Sequence, residues 1–120
     1  MGIPLYKSNE ALTKVIEECG DLTSREAVII AIREYDRLGK KEFLQHYQLE
    51  NSKFWQREAY YLEYEGKFYP SKAIVCVAYG YQYPSHGQLT SEEIGDTIWA
   101  ASAIYQIGGF ILHHYHQKPD

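Results

Sequence analysis

Apolar residues recur along this chain with a helical period near both ends and with a strict alternation in the middle. Leu12, Val15, Ile16 and Cys19 share one side of a helix that Ser8 is placed to cap and Gly20 to end. Thr23-Ser24-Arg25-Glu26 fits a capping box, and Ala27, Ile30, Ala31, Tyr35 and Leu38 continue at helical spacing to a stop at Gly39. Lys40–Tyr47 predicts a shorter helix presenting Phe43, Leu44 and Tyr47, followed by a polar loop of about ten residues.

The alternation then takes over. Tyr60, Leu62 and Tyr64 alternate with Tyr61 and Glu63, Glu65-Gly66 makes a turn, and Lys67-Phe68-Tyr69 returns, which together predict a β-hairpin. Pro70 suits the opening of a helix over Ser71–Tyr81, which Gly80 and Pro84 break before a loop over Tyr83–Gln88. Ser91-Glu92-Glu93 starts a long helix through Ile94, Ile98, Ala101, Ile104 and Tyr105 that Gly108-Gly109 terminates, and Phe110–Tyr115 predicts a last strand. Hairpin and C-terminal strand make a small antiparallel sheet, and about four to five helices packed on one face of it complete an α+β domain.

Length and composition bound this picture. A chain of 120 residues is expected to hold one domain over 1–120, because a second core would be too small to stand alone. The longest apolar run, Ala73–Ala78, falls far short of a bilayer span, and the start MGIPLYKSNE lacks the apolar core of a secretion signal. No membrane partner and a cytoplasmic location are therefore expected. Cys19 and Cys76 fall on apolar helical faces, where they pack as small hydrophobes. The formal charge of −4 gives no global help toward phosphate backbones. Acidic residues cluster over Glu10–Asp21 and Glu92–Asp96, whereas Lys53, Arg57, Lys67 and Lys72 lie near the hairpin and leave room for a local basic surface.

No catalytic signature stands out. His114 and His116 project from one face of a strand beside His113, yet a third or fourth metal ligand is missing. Neither cysteine has a neighbouring histidine in sequence, no nucleotide-cofactor fingerprint occurs, and Glu34 and Asp36 sit on different sides of their helix. No enzyme, metal or cofactor is expected. Lys72 offers a different chemistry: it lies in the first turn of the helix after Pro70, where free N–H groups and the dipole favour an anion. Ser71 beside it either caps the helix or touches the same ligand. The competing reading has Lys72 solvated, snorkelling over Tyr69. In either case Lys72→Glu is expected to leave the fold intact. Twelve tyrosines against four phenylalanines supply flat faces with hydroxyl edges, and Tyr61, Tyr81 and Tyr83 are placed for exposure. Tyr69 or Tyr81 would stack a base while Lys67 and Arg57 add charge.

Ala31-Ile32, Glu34-Tyr35-Asp36, Leu38-Gly39, Phe43-Leu44, Tyr47, Tyr60, Leu62, Gly66, Tyr69-Pro70-Ser71-Lys72-Ala73-Ile74, Ala78, Gly80 and Gly109-Phe110 form one further pattern. Over about residues 24–112 it resembles the N-terminal head domain of McrA-type (ScoMcrA-like) modification-dependent restriction endonucleases. A departure stands at Glu93–Thr97, EIGDT, where that family tends to carry a phenylalanine and a Ser-Gly-Gly turn. The resemblance implies a nucleotide- or nucleic-acid-recognition module of a restriction or phage-defence system. An alternative stays open: a small acidic inhibitor or adaptor, phage-encoded and anti-defence, acting by protein contact or by sequestering a nucleotide signal.

Overall fold

The computed structural model describes residues 10–50, 60–94 and 97–114. It begins with α1 (Glu10–Cys19), α2 (Arg25–Leu38) and α3 (Lys40–His46), followed by a hairpin of β1 (Tyr60–Tyr64) and β2 (Lys67–Pro70). Then come α4 (Ser71–Gln82), α5 (Ser91–Ile94), α6 (Thr97–Ile107) and β3 (Ile111–His114). The sheet order is β2-β1-β3 with both pairings antiparallel, an α+β arrangement.

The hairpin forms because Glu65 (φ 53°) and Gly66 (φ 81°) both take left-handed backbone, the twist that a two-residue turn needs. Register then sorts the faces. Tyr69, Leu62 and Leu112 align across the side that meets the helices, with Leu62 and Tyr69 buried. Phe68, Glu63 and Ile111 align across the other side, and Ile111 is left exposed. His113 joins this outer row: its Nε2 lies 2.9 Å from Glu63 Oε1, and its ring centroid is 4.8 Å from that of Phe68. Among the described residues no group of three or more metal-ligating side chains gathers. His116, Tyr115 and Ser8 lie outside the described residues, as do Lys53 and Arg57.

Helix α4 is the centre of the core. Every residue from Ser71 to Tyr79 is buried, and from Ala73 onward the sequence is apolar all round rather than striped, as a helix with neighbours on each side requires. α2 packs along it with Ala27, Val28, Ala31 and Ile32, and α6 covers another side with Ala100, Ala103 and Ile104. Pro70 ends β2 and also serves as the N-cap of α4, so strand passes into helix with no loop between them. Cys76 is buried and Cys19 half-buried, both as free thiols.

Several expectations change here. Ile30, read as part of the buried stripe of α2, is exposed, and so is Tyr105 on α6; a periodicity permits both, but the neighbours cover other positions. The capping box at Thr23–Glu26 gives way to a cap shifted by one residue. Ser24 Oγ accepts from Ala27 N at 3.0 Å, and the N–H groups of Thr23 and Ser24 go instead to Gln82 Oε1 at 2.9 and 3.0 Å. A reciprocal capping box stands at Thr90 and Glu93, before α5. Gly80 does not break α4, which continues to Gln82. No helix among the described residues is long and apolar enough to cross a membrane.

Candidate functional site

On a helix, Glu34 and Asp36 point to different flanks, and the tertiary structure gives each flank its own tyrosine partner. Glu34 faces α3 and α4. Its Oε1 accepts hydrogen bonds from the hydroxyls of Tyr47 and Tyr81, the latter at 2.7 Å, and the two hydroxyls lie 3.4 Å apart. Arg37, one turn on, reaches Glu34 Oε2 at 3.6 Å with its own side chain largely exposed. Asp36 faces the hairpin, where it accepts from the Tyr69 hydroxyl at 2.7 Å and lies 4.0 Å from Lys67 Nζ.

The Glu34 flank opens onto a concavity of about 200 Å³ lined by Tyr47, Val77, Gly80, Tyr81, Gly87 and Gln88. A second hollow of about 420 Å³ shares Tyr47 and Gln88 with it and extends past Gln48 to Thr90, Ser91 and Glu92. Gln88 Nε2 donates to Tyr47 O at 2.9 Å, which ties the loop after α4 to the end of α3. The loop is also held by Leu89 N, which donates to Cys76 O at 3.0 Å.

Gly80 makes this arrangement sterically feasible. A Cβ there would stand 2.7 Å from Gln88 N and 2.9 Å from the Gly87 carbonyl carbon, so the loop lies directly on the helix backbone. Helix propensity alone favours Gly80→Ala by about 1 kcal/mol. The contact reverses the sign: we expect Gly80→Ala to lower stability by about 1–3 kcal/mol, the usual range for overpacking. Urea unfolding checks this, and a stabilised variant would show that the loop yields.

The electrostatics define what the concavity can do. Burial, followed by the hydrogen bond to Glu34, raises the Tyr47 phenol far above its usual value, and burial also raises Tyr81. Both therefore stay neutral and donate to the carboxylate near neutral pH. The side chains offer an aromatic face and hydroxyl and amide hydrogen-bonding groups, and the Arg37 cation lies on the other oxygen of Glu34.

The residues singled out from sequence fall into separate places. Tyr81 is 42% exposed and belongs to the concavity, and Lys67 is exposed on the hairpin flank. Tyr69 is buried edge-on against Tyr35 at 5.3 Å. Ser71 is buried and donates to Tyr60 O at 2.8 Å. Lys72 is 2% exposed, which rules out the solvated, snorkelling lysine; it is not free in its buried position. Arg57 lies outside the described residues. Tyr61 and Tyr83 are half-buried. Sequence reasoning missed Tyr47, Gln88 and Arg37 as neighbours of Tyr81; the Glu34/Arg37 spacing of three was the one local signal.

Residues 20–114 match the family model described as "ScoMcrA-like, N-terminal head domain". Among solved structures, the chain is similar to the Type IV phosphorothioation-dependent restriction endonuclease ScoMcrA, with 25% identity and a TM-score of 0.54. The likeness covers 83% of this chain and 14% of that one, so the chain spans a small part of that protein's length. No curated protein matches the chain.

Proposed function

The chain belongs to the family of ScoMcrA-like N-terminal head domains, and from that membership we propose that it is a nucleotide- or nucleic-acid-recognition module of a restriction or phage-defence system, acting in the cytoplasm without catalysis of its own. The observation that carries this reading is the Tyr47–Tyr81 pair, held by Glu34 beside an open concavity, with Arg37 on the other oxygen of Glu34. A base stacks on the exposed ring of Tyr81 and Gln88 meets its edge, while Arg37 and Lys67 attract phosphate. Tyr69, Ser71 and Lys72 are buried and belong to the core rather than to the ligand surface, while Arg57 is proposed to add charge toward phosphate. Two phenols with raised pKa are weak acids and supply no phenolate base near neutral pH, which fits recognition better than chemistry.

The reading is tested by thermal shift and titration against single- and double-stranded oligonucleotides and a panel of mono-, di- and cyclic nucleotides. A ligand at 100 times its Kd stabilises the fold by about 2.7 kcal/mol. Tyr81→Ala is expected to remove about 1–3 kcal/mol of binding, and Tyr81→Phe to keep most of it because the ring remains. Equal binding by wild type and Tyr81→Ala would take the site away from Tyr81.

A second reading rests on separate features. Tyr105 is 77% exposed and Ile111 57%, and the net charge is −4, features that suit an acidic inhibitor or adaptor working by protein contact. Absence of any shift across the nucleotide and oligonucleotide panel would favour it.

A further inference from the structure

Arg25 is an exposed cation on an aromatic support. Its guanidinium carbon lies 5.4 Å from the Phe110 ring centroid and 6.0 Å from that of Tyr64. It rests on the backbone of Gly109, where an added Cβ would stand 2.4 Å from Nε. Among the described residues it takes part in no ion pair. Arg33 approaches the same Tyr64 ring at 5.8 Å and bonds Glu65 at 2.9 Å. Planar guanidinium groups held against rings lose less freedom when they bind a phosphate than free side chains do.

The two arginines continue the site already described. With about 3.6 residues per turn, Arg25, Arg33 and Arg37 step in one sense round the uncovered face of α2. They run from the hairpin flank toward Glu34 and Tyr81. Arg25 and Arg37 are separated by about 18 Å along the axis at 1.5 Å per residue, a span that takes more than one nucleotide to bridge. The carboxylates on or beside this strip are Glu26, which is exposed, Glu34, which takes Tyr47, Tyr81 and Arg37, Asp36, which takes Tyr69 and Lys67, and Glu65, which is bound to Arg33.

We infer that α2 carries the phosphates of a single-stranded nucleic acid diagonally across its exposed face, from Arg25 through Arg33 to Arg37, and delivers one base to Tyr81. The inference rests on the recognition reading above and narrows it from free nucleotide to strand. An unpaired strand fits because its bases are free to stack, whereas those of a duplex are not.

The test compares a labelled thymidylate dinucleotide with a labelled octamer, bound by the full chain at salt from about 50 to 200 mM. Octamer binding is expected to be several-fold tighter than dinucleotide binding. Arg25→Gln should weaken the octamer and flatten its log Kd against log salt slope by about 0.7, leaving the dinucleotide unchanged. Arg25→Lys, which keeps the charge, should keep the slope. If Arg25→Gln leaves the octamer slope unchanged while Tyr81→Ala still weakens binding, the strand path is wrong and the Tyr81 site stands. If neither probe binds the wild-type chain, both fall together.

Discussion

Lys72→Glu is expected to lower folding stability by about 3–5 kcal/mol, the range seen when a buried ionic group is left uncompensated. Lys72 is 2% exposed in the first turn of the central helix and is engaged there, so a carboxylate in its place would lose that interaction and stand where water cannot solvate it. A domain of this size has about 5–15 kcal/mol in total, and the variant would stand near unfolding. Lys67, five residues earlier, is the control. It is exposed and 4.0 Å from Asp36, so Lys67→Glu should change stability by less than about 1 kcal/mol. Urea midpoints at constant m-value separate the two. A loss below about 1 kcal/mol for Lys72→Glu would mean that Lys72 reaches solvent and would return it to the ligand-contacting surface.

Raising the pH above 10 is expected to unfold the protein steeply, because Tyr69 and Tyr79 are buried with phenols shifted upward. Burial is the main cause for both, followed by the Asp36 hydrogen bond at Tyr69 and the proximity of Cys19 and Tyr83 at Tyr79. The direction follows from linkage. The unfolded phenols ionise near the usual 10 while the folded ones hold their protons, so this stability is fully present below pH 10 and is lost as pH climbs toward the raised values. Each such group removes about 1.4 kcal/mol per pH unit, so the pair removes roughly 3 kcal/mol per unit, and Tyr47, whose phenol is raised as well, adds to the same slope. Urea unfolding at pH 9, 10 and 11 measures the slope. Tyr69→Phe and Tyr79→Phe should each flatten it by about 1.4 kcal/mol per unit, even though Tyr79→Phe also gives up the 2.6 Å bond to Gly20 O. Slopes identical to wild type in both variants would show that other groups control alkaline unfolding.

The candidate site was only partly legible. Tyr81 could be picked out as exposed because it ends an apolar helix and enters a polar loop. Its companions are distant in sequence: Glu34 lies on α2, Tyr47 ends α3, and Gln88 lies in the loop beyond α4. A helix-start argument placed Lys72 at a phosphate, yet the same turn of α4 is enclosed on every side. Dipole and free N–H groups are local properties of a helix end, whereas access to that end depends on what packs over it. Gly80 was misread for the same reason, since glycine in a helix signals either a break or a close approach, and only the neighbour at 2.7 Å distinguishes them.

Periodicity and turn chemistry determined the elements of this protein: the stripe of α2, the alternation of β1 and the left-handed Glu65-Gly66 turn follow from torsional preferences and from which side chains avoid water. The family pattern in Tyr69–Ile74 and its surroundings was also readable, because it is a property of the string. Tertiary structure alone decided which tyrosine meets which carboxylate, that Lys72 is enclosed, and that Gln82 replaces Glu26 at the start of α2. Hydrogen-bond partners and solvent access depend on groups brought together from distant parts of the chain, and no local preference encodes which groups those are.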